Sequence, residues 1–562
     1  MPVDPAIQLP VPHVGGALTF NAGCVTIVNP SDRRGGTLRL ATAADVDSLD
    51  PARTYYVWCW MLQRLLQRTM MAYTAAPGTA ALVPDLAREP GTRNDDGTTW
   101  RYELRRNIRF SDGTPVTAAD VKYAVERLFA QDVLAGGPTY LINLLDDPIR
   151  PYPGPYRDRA GLRTIELPDE HTIVFHLQRP FPDFDHLMAM PVAAPVPRHA
   201  DTGVGYETAP VSSGPYRLAR HEPGRRLLLG RNPFWADDPL RSALPDHVDV
   251  TIGIGRDDVD TGVIDGRFHL NLEGRGVQLR AQERLAAEPA LLANADNPAT
   301  NFLHYIAIQP QIPPFGNIHA RRAVQYAADR TALLETRGGP VYGGDIATTL
   351  LPPAMPGYVP YDRYPGGRRG NLGAAFAELT AAGLPNGFDT VIATQAGKFR
   401  GVADALARSL ARVGIRARVD EMNVADYYRA GLGRPATVHT RGLGLAVTDW
   451  GPDFPAEFGF AAPLVDGRHV KPLGSNHNFA ELNDPHINTL IDQAQSELDP
   501  GLRAKIWHQV DRAVMEHAVI LPLTYDRTLH YRSETATNVY VHAAFGLYDI
   551  QAVGVGNLRE RN

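Results

Sequence analysis

The residues that could do covalent chemistry are present but are not arranged to do it. No Gly-x-Ser-x-Gly elbow, no P-loop and no His-Glu-x-x-His face occurs anywhere in the chain. Gly431-Leu-Gly-Arg and Gly442-Leu-Gly are loop glycines without the dinucleotide fingerprint. The 18 histidines are spread without ligand spacing, and His477 in Asn476-His-Asn is the one to watch for a metal. The two cysteines, Cys24 and Cys59, exclude a disulfide framework and a Cys-built zinc site. Cys59, inside Tyr56-Val-Trp-Cys-Trp-Met-Leu, reads as a small buried hydrophobe. The expectation is therefore no catalytic residue, no metal and no cofactor. Binding chemistry remains, where acids adjoin aromatic residues. Tyr55, Tyr56 and Trp58 follow an Asp-Pro turn, and Trp450-Gly-Pro-Asp453-Phe-Pro places a carboxylate three residues after an indole. On its own residues the second segment is a solvated turn.

A chain of 562 residues exceeds what one hydrophobic core serves, so two or three domains are expected. Its 44% apolar and 21% charged residues are those of a globular protein, and its well-mixed charge of −6 excludes a nucleic-acid surface. No apolar run reaches the roughly 18 residues of a membrane span. No Lys or Arg precedes Arg33, and four prolines interrupt any apolar leader, so no secretory signal is read. The segment ending at Cys24 resembles a lipoprotein cleavage site, except that Asn21 stands at −3 and no apolar core precedes it.

Periodicity places the elements that must carry these residues. Thr37-Leu-Arg-Leu-Ala alternates as a strand, and an aromatic helix is expected from about Tyr56 to Tyr73. Asn94-Asp-Asp-Gly97 marks a hairpin, and Thr117 with Asp120 forms a capping box for a helix to about Phe129. Strands follow at Thr172–Leu177, at a hairpin of Pro215–Leu218 with Arg226–Gly230, and at Val248–Ile252. After an apolar strand at Phe302–Ile308, Asn317 caps a helix. Residues 389–422 read as strand-helix-strand with Gly414 as the helix stop, which implies a right-handed crossover in a partly parallel sheet. A helix at about Leu502–His517 and a strand at Val519–Thr524 close the pattern: a multidomain α/β protein.

The wording of several blocks is more specific. Leu82-Val-Pro-Asp-Leu-Ala, Asn94-Asp-Asp-Gly-Thr-Thr-Trp-Arg-Tyr-Glu-Leu-Arg and Ile108-Arg-Phe-Ser-Asp-Gly-Thr-Pro-Val-Thr-Ala-Ala-Asp-Val resemble the signature of the family 5 extracellular solute-binding proteins of ABC importers. Ser48-Leu-Asp-Pro51, Ser212-Ser-Gly-Pro-Tyr-Arg-Leu, Arg231-Asn-Pro-Phe-Trp235, Pro314-Phe-Gly-Asn-Ile-His-Ala-Arg-Arg-Ala and Trp450-Gly-Pro-Asp-Phe-Pro455 extend the resemblance from about Gly35 onward. The resemblance implies a two-lobed α/β fold of the periplasmic-binding-protein type (type II), its lobes joined by two crossover strands near Tyr305 and Leu521–Tyr525. Residues 1–34 would be an extension. Residues 35–303 and 523–562 would form lobe 1, with an extra subdomain at about 56–205, and 304–522 would form lobe 2.

It also implies a function. The expected protein is a monomeric receptor of the cell envelope that takes a small ligand, an oligopeptide above all, into an interlobe cleft. It would deliver that ligand to the permease subunits of an ABC transporter. Asp453 would hold the ligand's α-ammonium group, since a buried ammonium needs a counter-charge to offset lost hydration. Trp450 and Gly451 would line the same site, and Tyr55 and Tyr56 would form an aromatic wall, with Trp58 equally suited to a helix core. Asp449 is the alternative acid. Arg441 and His469 are the candidates, by chain position alone, for a carboxylate grip. The competing reading is an intracellular enzyme on the same fold, for which the absent leader speaks; a metal chelate or sugar is the alternative ligand.

Overall fold

The computed structural model describes residues 20–556 apart from 237, 239, 368, 398, 424, 425 and 471–475. The chain divides into two compact units: residues up to Pro298 together with those from Thr528 onward, and Ala299–Arg527. Among the described residues, no helix is long and apolar enough to cross a membrane.

In the first unit, β1 (Thr37–Thr42) buries Leu38 and Leu40 and exposes Arg39, as its alternation requires. With β2 (Tyr216–Glu222), β3 (Arg226–Arg231), β4 (His247–Ile252) and β5 (Leu270–Asn271) it forms a sheet of order β5-β1-β4-β3-β2. β1 is parallel to β4 and β5, whereas β2, β3 and β4 are antiparallel neighbours. Helix α1 (Val57–Leu66) packs Trp58, Cys59, Met61 and Leu62 with Leu38, Leu40, Leu227, Leu229 and Val248. Val539, Val541 and Ile550 join the same core, so both ends of the chain build it. Burial pushes the Cys59 thiol up, as suits an inert apolar residue.

The aromatic helix expected to reach Tyr73 stops at Leu66. Gln67 is already extended, and Met71–Tyr73 pairs with Leu82–Pro84 as a short antiparallel ladder. Between them, Arg68 is drawn into a buried network with Asp85 and, at 2.8 Å, Asp238. These buried ion pairs fix the Arg68 side chain beyond the helix end.

A four-stranded antiparallel sheet belongs to the same unit, in the order Thr92–Arg93, Thr99–Glu103, Thr172–His176, Ile165–Asp169. Helix α2 (Ala118–Leu128) starts in the capping box of Thr117 and Asp120. It carries Arg127, fully buried, which bonds Asp50 through both terminal nitrogens (2.9 and 2.7 Å) and Asp201 at 3.1 Å.

In the second unit, β6 (Ala299–Ile308), β7 (Asp345–Ile346), β8 (Asp389–Gln395), β9 (Arg416–Met422), β10 (Leu445–Trp450) and β11 (Ile520–Arg527) form a sheet of order β7-β11-β6-β10-β8-β9. β6 is antiparallel to β10 and β11, while β8 is parallel to β9 and β10. Helix α3 (Ile318–Ala327) is capped by Asn317, whose side chain accepts from the His319 N–H at 2.9 Å. Helix α4 (Arg400–Ala411) links β8 to β9 and ends before Gly414, where a φ of +83° suits the residue. Helix α5 (Glu457–Val465) follows β10, and α6 (Pro500–Glu516) leads into β11. The chain enters this unit through β6 and leaves it through β11.

Candidate functional site

Because β8, β9 and β10 are parallel, their carboxyl ends at Gln395, Met422 and Trp450 share one edge of the second unit's sheet. Open α/β sheets gather ligands at such edges, where loops leave the strands in the same direction. Soon after β9 comes a π-helical turn, Tyr427–Leu432, a departure from helical geometry often found at functional sites. The buried Tyr427 hydroxyl lies 2.5 Å from the Val447 carbonyl and 3.2 Å from that of Ala393, tying β10 to β8. Tyr428 donates to Asp449 Oδ1 at 3.0 Å and stacks on Phe479. Burial first, and then the Asp449 charge, hold the hydroxyls of Tyr305, Tyr427 and Tyr428 above the usual phenol range. They stay neutral donors.

Asp449 lies opposite His304 in the β6–β10 ladder. Arg337 donates to His304 Nε2 at 2.9 Å and to Asp526 at 2.7 Å, connecting β6 with β11. At the end of β10, Trp450 is half-buried and packs on His477, ring centres 4.9 Å apart. Its buried indole N–H has no hydrogen-bond partner among the described residues. Gly451 lies under Phe302, whose ring would be only 2.3 Å from a Cβ at that position. Phe454 is buried against Gly459 in α5. The loop is thus pinned on both sides of Asp453, which is half-buried. This edge offers carboxylates and aromatic faces, a set suited to a small ligand with a cationic group.

The sequence expectations fall on this frame as follows. Trp450, Gly451 and Asp453 are brought together at the edge, with Asp449 the residue before Trp450 on the strand. Gly451 differs from expectation: its open side is filled by Phe302. Arg441 is held by Asp420 through two bonds (2.6 and 3.1 Å), and the side chain of His469 lies outside the described residues. His477, singled out for metal, packs on Trp450, and no group of three or more metal-ligating side chains occurs among the described residues.

Tyr55 and Tyr56 belong to the first unit, on the loop after β1. Asp47 accepts both their backbone N–H groups (2.6 and 3.0 Å) and also holds Thr54 and Ser48. Charge at the start of α1 is favoured there by the helix dipole. Both rings are exposed, at 38% and 51%, while Trp58 is 3% exposed. The tyrosines are surface aromatics and Trp58 is core.

The profile described as bacterial extracellular solute-binding proteins, family 5 Middle, matches residues 81–471. The chain belongs to this family. Among curated family 5 relatives, the probable D,D-dipeptide-binding periplasmic protein DdpA of Escherichia coli (strain K12) is 23% identical over 86% of this chain and 88% of its own. The glutathione-binding protein GsiB of Salmonella choleraesuis (strain SC-B67) is 22% identical over 82% and 84%. A solved structure of clavulanic acid biosynthesis oligopeptide binding protein 2 is 60% identical, covers 97% of this chain and 99% of its own, and has a TM-score of 0.95. The periplasmic binding protein DppA of Helicobacter pylori, in complex with peptide STSA, shares the fold at 20% identity, 94% and 99% coverage and a TM-score of 0.72. The fold is that of the two-lobed periplasmic binding proteins.

Several residues of the family 5 wording serve the architecture. Asp50 and Asp85 are buried arginine partners, and Asp120 closes a capping box. Sequence reading missed Tyr427, Tyr428 and Phe302. Two adjacent tyrosines just beyond a parallel strand were the available signal for the first pair; Phe302 carried none, since its partner is 149 positions away.

Proposed function

We propose that this family 5 solute-binding protein captures an oligopeptide and presents it to the permease subunits of an ABC importer, without chemically altering it. The observation that carries this reading is the 60% identity, over nearly the whole chain, to a solved oligopeptide binding protein. The site edge agrees with it. Asp453 is the counter-charge for the peptide's α-ammonium, and Trp450 packs its first residues. Gly451 contributes its backbone beneath Phe302; in the first unit, Tyr55 and Tyr56 are exposed aromatic residues available to a ligand. Main-chain recognition of this kind gives broad side-chain tolerance. The protein works as a monomer in the cell envelope; the 23% identical DdpA is named a periplasmic protein.

A thermal-shift screen with di- to hexapeptides tests the proposal. A peptide at 100 times its dissociation constant adds about 2.7 kcal/mol of stability. Asp453→Ala, compared with and without peptide, should lose the peptide-induced rise in melting temperature. Silence across the library with the wild-type protein defeats the reading.

A second reading is favoured by the same relative, whose description places it in clavulanic acid biosynthesis: a task in small-molecule biosynthesis, as a binding protein or an enzyme on this fold. Product formed from a bound peptide, detected by mass spectrometry, would establish it.

A further inference from the structure

The aromatic side chains of the site edge are backed by a loop whose own anchors lie elsewhere. Residues 476–482 bring His477 against Trp450, ring centres 4.9 Å apart, and Phe479 against Tyr428 at 6.1 Å. The two loop rings also meet each other at 6.3 Å, so the four form one layer beside Asp449, to which Tyr428 donates. Two buried amides stiffen the loop from within. Asn476 donates to the Asn478 carbonyl at 2.9 Å, and Asn478 bonds both the N–H and the carbonyl of Leu482 (3.0 and 2.8 Å). The Asn476 N–H donates to the Gly433 carbonyl at 3.1 Å, just past the π-helical turn that carries Tyr428.

The far end of the loop is held by Glu481. Its Oε1 accepts from Nε2 of the buried Gln309 at 2.8 Å and lies 3.0 Å from His439 Nε2, on the helix Pro435–Arg441. Gln309 Nε2 also donates to the Phe479 carbonyl at 3.2 Å. Gln309 follows directly on β6, whose last residue, Ile308, pairs with Leu445 at the start of β10, whereas Trp450 ends that strand. At about 3.4 Å per residue, the anchor is roughly 17 Å from the Trp450 end of β10. Glu481 therefore acts on the site through the loop, not by contact with a ligand. Its φ of +47° is one that residues other than glycine rarely adopt. Strain of this kind persists where the surroundings over-determine the backbone, and it gathers at functional sites.

We propose that Glu481 and Gln309 are positioning residues for ligand capture: they fix loop 476–482 from the start of β10, and so hold the Trp450 and Tyr428 side chains in one arrangement before a ligand arrives. The inference rests on the peptide-binding reading of the Trp450 edge. Apparent affinity falls in proportion to the fraction of molecules in the competent arrangement, so a loop that keeps it in about one molecule in ten binds roughly tenfold more weakly.

Full-length protein labelled with fluorotryptophan supplies a fluorine NMR line for each of its six indoles, and Trp450→Phe identifies the line of Trp450. Glu481→Ala should shift or broaden that line and leave those of Trp58, Trp60, Trp100 and Trp235, in the first unit, in place. Glu481→Gly removes the same side chain but suits the +47° backbone, which guards against misfolding, and should do the same. Glu481→Gln keeps an acceptor oxygen for Gln309 and His439 and should restore the wild-type line. Titration calorimetry with the tightest peptide of the screen should show roughly tenfold weaker binding in the alanine and glycine variants and wild-type binding in the glutamine one. A Trp450 line unmoved by both truncations, or displaced as far by Glu481→Gln, overturns the proposal, as does unchanged peptide affinity in both truncations. If no peptide binds the wild-type protein, the peptide reading fails, while the fluorine comparison still decides whether Glu481 positions Trp450.

Discussion

Asp511 in α6 should make the protein lose stability as pH rises from about 4 to neutrality. The carboxyl is fully buried, and its Oδ1 accepts the Leu350 N–H at 2.8 Å. Burial, only partly offset by the Leu350 N–H, lifts its pKa from 3.8 to about 7. Below the lower value both folded and unfolded chains hold the proton, and the group has no effect. Between the two values the unfolded chain ionises while the folded one stays protonated, so stability falls as pH rises; above about 7 the loss is complete. At 1.36 kcal/mol for each tenfold change in proton affinity, the full gap is worth about 4 kcal/mol. Relaxation around a buried charge reduces such figures, so about 2–4 kcal/mol is expected. Asp511→Asn keeps the acceptor at Leu350 and places an N–H₂ where the protonated acid has its O–H. Denaturant unfolding of both proteins from pH 4 to pH 8.5 isolates the group. The two should be nearly equal near pH 4, with the variant the more stable by that margin above pH 7.5. A difference that stays constant across the range would refute the reasoning.

Other outcomes follow from single contacts. Arg127→Leu leaves Asp50 and Asp201 without their buried partner and should cost about 3–5 kcal/mol by equilibrium unfolding. Thr117→Ala breaks the capping box of α2 and should cost about 1 kcal/mol in the same assay. Gly451→Ala forces the Phe302 ring from its place and should cost about 1–3 kcal/mol; because the ring is the obstacle, Phe302→Ala in the same chain should recover most of that loss, measured as a double-mutant cycle. Asp453→Ala should abolish the peptide-induced thermal shift.

The amino-acid sequence by itself determined the features that depend on neighbours along the chain. Thr117 and Asp120 are three residues apart, and the box they were expected to form is present. Asn317 caps its helix, Gly414 takes the left-handed conformation at a helix stop, and residues 389–422 form the parallel strand-helix-strand unit that alternation predicted. The ordered blocks of signature residues placed the chain in its family, and the acid and indole of the candidate site lie in one of those blocks. Tertiary structure decided what depends on distant partners. Periodicity carried α1 on to Tyr73, but Arg68 left the helix for Asp85 and Asp238, the latter 170 positions away. Asp50 and Asp85 look like loop acids in the sequence, and only the arginines that converge on them make them buried struts. The edge of the second unit is assembled from segments near 302, 428, 450 and 477. Local propensity acts over a few residues, whereas charge compensation and ring packing act through space; no one-dimensional pattern records which distant residues meet.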